Sequence, residues 1–237
     1  AKDHSSLPFL LCTRGRAKKL LSSMTGAEII AQFEQYVDDL TELSATQELI
    51  LLNKIYHKIC DLRPWEFLKK EKVGTMTTTT TIAFPDDFSH LLENFNYTDN
   101  SISTEINSKP CVVFISSNGG STYNPFRVVN WSDRRQYVNT NGVCYIDYAA
   151  SVITFPYAQS SGALYNFDYK SVPTNLTTGT SPVFPDRFQH AIYHGMAVDD
   201  MIIQLFDKAR SYAKENQGAY KDYVDSMALW NANLQNY

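Results

Sequence analysis

The sequence predicts an α+β fold: a helical bundle built from both chain ends, with an antiparallel β-rich domain, sandwich or barrel-like meander, inserted between them. Three observations predict it. Apolar residues recur at helical spacing over 25–62, short β-branched and aromatic runs cut by turn residues replace that stripe from 75 to about 183, and the stripe returns from 185. The divisions that follow are a basic arm at 1–23, a helical domain at 24–74 and 184–237, and an inserted β-rich domain at 75–183.

The first helix runs over 25–40, where Ile29, Ile30, Phe33, Val37 and Leu40 share one face and Glu28, Glu34, Asp38 and Asp39 fall elsewhere. Ser44, with Gln47 three positions on, forms a capping box for a second helix. Its face is Leu51, Leu52, Ile55, Ile59 and Leu62, and Arg63-Pro64 stops it. Trp65, just past the stop, reads as a core anchor beneath the helix end.

Within the insert, TMTTTTTIAF (75–84), CVVFIS, FRVVNW, RRQYVN, VCYIDY, VITF and ALYNFDY read as strands. SNGGS (117–121) reads as a hairpin turn, since it lacks the phosphate-loop pattern and no helix opens behind it. Asn141-Gly142 supplies the positive φ angles of a tight turn, so the last four strands are expected to form an up-and-down meander. FPDDF (84–88) and FPDRF (184–188) bracket the insert. In each, a proline ends an extended segment and the following aspartate can cap a starting helix, so both are expected to switch strand to helix.

From 185 the stripe Ala191, Gly195, Val198, Ile202, Leu205, Ala209 and Tyr212 predicts one long helix, whose small first members allow close approach of a neighbour. After a break at Asn216–Gly218, Tyr220, Tyr223, Met227, Trp230, Leu234 and Tyr237 form a second apolar seam. With 216–218 as a flexible joint, a chain ending at Gly218 is expected to stay folded, and these six residues are the candidate assembly interface.

The net charge of −4 hides an asymmetry. Lys2, Arg14, Arg16, Lys18 and Lys19 against Asp3 give residues 1–23 a balance of +4, which leaves −8 on 24–237. An acidic body is a poor phosphate binder. Residues 1–23 read as an arm appended before Met24, and LPFLLC is too short for a signal peptide. No apolar run approaches the roughly 20 residues of a membrane-spanning helix, so no membrane partner is expected. Cys12, Cys60, Cys111 and Cys144 lie apart, without a C-x-x-C pair, and read as buried thiols. Asn96, Asn130 and Asn175 head glycosylation-type triplets that occur commonly by chance.

Catalytic chemistry is missing from the pattern. His190 and His194 share a helix face but lack the glutamate of H-E-x-x-H and a third ligand, so no metal is expected. The pairs Asp86-Asp87 and Asp199-Asp200 do not face each other on a helix, and no G-x-S-x-G elbow exists. The expectation is a protein that is not an enzyme and has no cofactor. One binding alternative comes from Tyr145, Tyr148, Phe155, Tyr157, Tyr165, Phe167 and Tyr169, which could line the face of a glycan-binding or decoration module. The competing reading makes them sheet core and cross-strand pairs.

Four segments in order carry a resemblance: LILLNKIYHKICDLRPWEFL, TTTTTIAFPDDF, the series from WSDRRQYVNTNGV to FDYKSVP, and FPDRFQHAIYHGMAVDDM. Their order and spacing over most of 24–212 resemble the head-to-tail connector proteins of tailed bacteriophages, the adaptors of the neck ring. The arm before Met24 and the length of the β insert depart from the simplest members. The resemblance implies a structural virion protein at the head–tail junction, made in the host cytoplasm. It implies a homo-oligomeric ring, usually of twelve copies, with the portal protein and tail or further neck proteins as partners and double-stranded DNA passing through its channel. It also implies that the C-terminal seam engages the portal.

Overall fold

The first two helices start on capping boxes. Glu28 N donates to Thr25 Oγ1 at 3.3 Å and Thr25 N to Glu28 Oε2 at 2.7 Å, opening α1 (Gly26–Val37). Gln47 N and Ser44 Oγ, with Ser44 N and Gln47 Oε1, repeat the box at α2 (Ala45–Asp61). The computed structural model describes residues 23–38, 43–93 and 109–235. Leu40, Cys12, Asn96, Tyr237 and all of the arm but Ser23 lie outside them. Trp65 is fully buried beyond the end of α2, and its Nε1 donates to Ile59 O at 2.8 Å, as an anchor beneath a helix end should.

The chain is mixed α+β, with several helices and one curled, half-barrel sheet. Its strands are β1 (Lys69–Thr75), β2 (Thr81–Ala83), β3 (Phe88–Leu91), β4 (Cys111–Ser116), β5 (Asn124–Val128), β6 (Val143–Asp147), β7 (Val152–Thr154) and β8 (Leu164–Ser171). The order is β1-β8-β4-β5-β6-β7-β2, with β3 also on β8. Beyond the strand ends, Met76 N donates to Ala163 O at 2.8 Å and Phe155 N to Thr80 O at 2.8 Å, continuing the β1–β8 and β2–β7 pairings by one residue each.

Three strand expectations are corrected. The sheet begins at Lys69 rather than at 75, because all seven residues of β1 pair with β8. RRQYVN is no strand. β5 and β6 pair in parallel, a geometry that requires a crossover, and residues 131–137 form it as a 3-10 stretch pinned by buried Tyr137. The meander is also absent: β8 pairs with β1, β3 and β4 instead of β7. Alternation of buried Tyr165, Phe167 and Tyr169 made β8 recognisable as a strand, but alternation carries no information about its neighbours. SNGGS does join the antiparallel strands β4 and β5, with Gly119 and Gly120 at φ 69° and 90°.

The pentapeptides part company. FPDDF makes a turn into β3, so it links strand to strand, and Asp87 faces Lys70 and Tyr169 instead of a helix end. FPDRF does lead through a 3-10 turn (Asp186–Phe188) into α3 (His190–Ala197), although Asp186 accepts from the Gln189 side chain and caps no backbone N–H. Beyond it the expected long helix is divided into α4 (Asp200–Leu205) and α5 (Asp207–Ser211), followed by α6 (Ala213–Gln235). Asp199 starts α4 by accepting from Met201 N at 3.3 Å, and extended Phe206 separates α4 from α5 while burying its ring.

One hydrophobic cluster joins Ile29, Phe33, Leu52, Tyr56, Ile59 and Trp65 to Leu176, Phe184, Ile192, Met196, Ile202 and Met227. A second fills the sheet with Ile82, Val113, Phe126, Ile153, Phe155 and Phe167. The helices come very close at Gly195, where a Cβ would lie 2.6 Å from Ile55 Cγ2 and 3.0 Å from the Tyr220 ring. That explains the small residue in the stripe.

Candidate interaction surfaces

The C-terminal seam lies on α6 and is largely turned inward. Met227 is fully buried, Tyr220 and Tyr223 pack against the helical cluster, and Trp230 lies 5.9 Å from the Phe188 ring. The Arg187 guanidinium sits over both rings, 4.7 Å from Phe188 and 5.6 Å from Trp230. Asn231 Oδ1 accepts from Glu66 N at 2.7 Å, tying the helix to the segment that leads into β1. Asn216–Gly218 is not a joint but helix interior, where buried Asn216 Oδ1 accepts from His194 Nδ1 at 3.2 Å. A glycine in a helix is tolerated when packing on either side supplies what its backbone lacks. Leu234 and Leu229, 43% and 69% exposed, are the apolar side chains that the helix leaves at its outer end.

His190 and His194 sit among aromatic rings: His194 is 4.3 Å from Tyr193 and 5.3 Å from Tyr36, and Tyr223 is 5.8 Å from each imidazole. Burial holds the His194 pKa below its ordinary value, reinforced by His190 and outweighing the Asn216 hydrogen bond and the Glu215 charge. Among the described residues no group of three His, Cys, Asp or Glu side chains could hold a metal ion. Asp199 pairs with Lys54 at 2.6 Å, so this carboxylate has a structural partner as well as a capping role. Cys60, Cys111 and Cys144 are buried, and burial pushes the Cys60 and Cys111 thiols up to about 12 and about 11 and Cys144 higher still. They are poor nucleophiles.

The seven aromatics of the β region do not make one face. Phe155, Tyr165, Phe167 and Tyr169 are core, Tyr145 leans on Trp131 at 5.2 Å, and Tyr148 and Tyr157 are exposed. Tyr157 instead borders a cleft of about 580 Å³ between the β4–β5 hairpin, the Asn141–Gly142 turn and the 157–160 loop. Periodicity could not reveal this cleft, because its amides come from loops distant in sequence.

Two more residues that organise the molecule gave no local signal. Gln189 is buried and accepts from Met24 N at 2.7 Å while donating to Ser23 Oγ at 2.7 Å. Asn53 accepts from Leu176 N at 2.7 Å and donates to Leu176 O at 3.0 Å, fastening the strand-free return segment to α2.

The sequence matches the family model described as SU10 adaptor protein over residues 24–236. The chain belongs to the SU10 adaptor family. It is therefore a structural adaptor of the bacteriophage virion, and membership implies contact with portal and tail proteins. The adaptor family is not an enzyme family. The match starts at Met24, where Gln189 grips the backbone, and leaves the basic arm outside it. No curated protein matches the sequence. Among the adaptor's described residues no helix is long and apolar enough to cross a membrane.

Proposed function

We propose that this adaptor is the subunit of the neck ring that joins the portal to the tail and extends the DNA channel, in twelve copies that follow the portal's symmetry. The observation that carries the reading is the family match along 24–236. The balance of −8 on 24–237 supports it, since a channel wall that neutralised phosphates would hold the DNA that must slide past. The two hydrophobic clusters support a division into a helical domain and a β-rich insert running from β1 to β8.

The portal or subunit interface is the outer end of α6. Tyr220, Tyr223, Met227 and Trp230 brace it from beneath, and Leu234, with Tyr237 beyond it in the sequence, makes the contact. Mixing the chain with its portal protein and imaging the product by electron microscopy tests both parts. A ring seated on the portal is expected, and a version lacking 232–237 should stay folded and fail to join. Two proteins that remain separate at micromolar concentration overturn the neck-ring reading; normal joining by the trimmed chain overturns the interface.

A further inference from the structure

The cleft beside Tyr157 contains no lysine, arginine, histidine, aspartate or glutamate among its lining residues. Its polar groups are amides and hydroxyls, from Asn124, Asn141, Gln159, Ser117 and Ser160, and its apolar lining includes Ile115 and Phe126. Pockets for drug-like ligands of this size are lined mainly by apolar side chains, so the lining selects a different ligand.

Two of the amides are already oriented. Asn141 Oδ1 accepts from Gly142 N at 3.0 Å and from Gln159 Nε2 at 3.4 Å, and Gln159 Nε2 also donates to Tyr157 O at 2.8 Å. Gln159 N is fixed in turn on Thr79 O at 2.7 Å. With those atoms engaged, the Asn141 Nδ2 donor and the Gln159 Oε1 acceptor remain for a ligand. A donor and an acceptor side by side match neighbouring hydroxyls, each of which both donates and accepts. Tyr157, 47% exposed, adds a ring face on which the C–H face of a pyranose can lie.

The geometry points to a carbohydrate site in this cleft, for a linear neutral oligosaccharide. Charged glycans are disfavoured because nothing in the lining neutralises them. The site is independent of the neck-ring reading, and the isolated chain suffices to test it.

Saturation-transfer NMR of the full chain with maltohexaose, cellohexaose and chitohexaose, each at about 10 mM, should give transfer to at least one, since a shallow polar site binds near the millimolar range. Tyr157→Ala removes the stacking face. Asn141→Asp keeps the acceptor for Gly142 N–H but replaces the free donor. Both positions are exposed, so the fold should persist by circular dichroism, and each variant should weaken binding by about tenfold. No transfer from any of the three sugars, or binding unchanged in both variants, overturns the assignment. Equal binding of a neutral Gly-Ser peptide would mark the cleft as a peptide groove and overturn it too.

Discussion

The Tyr169 hydroxyl donates to Asp87 Oδ1 at 3.0 Å, so a central strand of the sheet holds the turn that opens β3. Lys70 Nζ takes the other carboxylate oxygen at 2.6 Å, so β1, β8 and the FPDDF turn meet on one side chain. Burial pushes the Asp87 pKa up, but the hydrogen bonds from Lys70 and Tyr169 and the Lys70 charge outweigh it and the pKa lies below its ordinary value. Asp87→Asn should cost about 1–2 kcal/mol in urea unfolding near pH 7, toward the low end for hydrogen bonds to a charged group because solvent screens the half-exposed Lys70. A carboxyl with a depressed folded pKa stabilises above its unfolded pKa of about 3.9 and loses that contribution as pH falls through the folded value. The gap between wild type and variant should therefore close on acidification toward about pH 3.

Gly195→Ala should destabilise the helices by about 1–3 kcal/mol through overpacking against Ile55 and Tyr220. Ile55→Ala removes the facing Cγ2, so Gly195→Ala should cost less in that background than in the wild type. Guanidinium unfolding of the two single variants and the double variant checks this, and additive losses would show that the two positions do not touch.

A chain ending at Gly218 loses buried Val224 and Met227 and the Trp230 contact, so it should lose cooperative unfolding and expose apolar surface to a dye. That reverses the expectation drawn from a joint at 216–218. A chain ending at Asn231 keeps those residues and should melt within about 3 °C of the full chain.

His194 is held below its ordinary pKa, so the unfolded chain binds its proton first as pH falls. Its contribution is present above the unfolded value of about 6.5 and is lost as pH drops through the folded one. Melting curves should fall between about pH 7 and pH 5, and His194→Gln should flatten that slope.

Cys60, Cys111 and Cys144 should react with a thiol reagent only in denaturant, because burial raises all three pKa values and blocks approach. Reaction of any of them in the native chain at neutral pH would contradict the packing described.

What could be determined from sequence was local. Thr25–Glu28, Ser44–Gln47, the stripes Ile29–Val37 of α1 and Leu51–Ile59 of α2, the buried Trp65 and the Gly-Gly hairpin all depend on residues a few positions apart, and each is where the spacing placed it, whereas Leu62 lies exposed past the end of α2. The order of segments also carried the family resemblance. What tertiary structure decided was pairing across distance: β8 against β1, β3 and β4, the parallel β5–β6 crossover, and Asn53 and Gln189 fastening segments more than a hundred residues away. It also decided that the C-terminal seam packs on its own helices, and that Asn141 and Gln159 meet across a cleft. An apolar stripe states that a helix face must be covered but not by what, because burial is non-directional. A polar side chain in a loop acquires its partner when the chain brings the two together, since hydrogen bonds form only within about 3.5 Å.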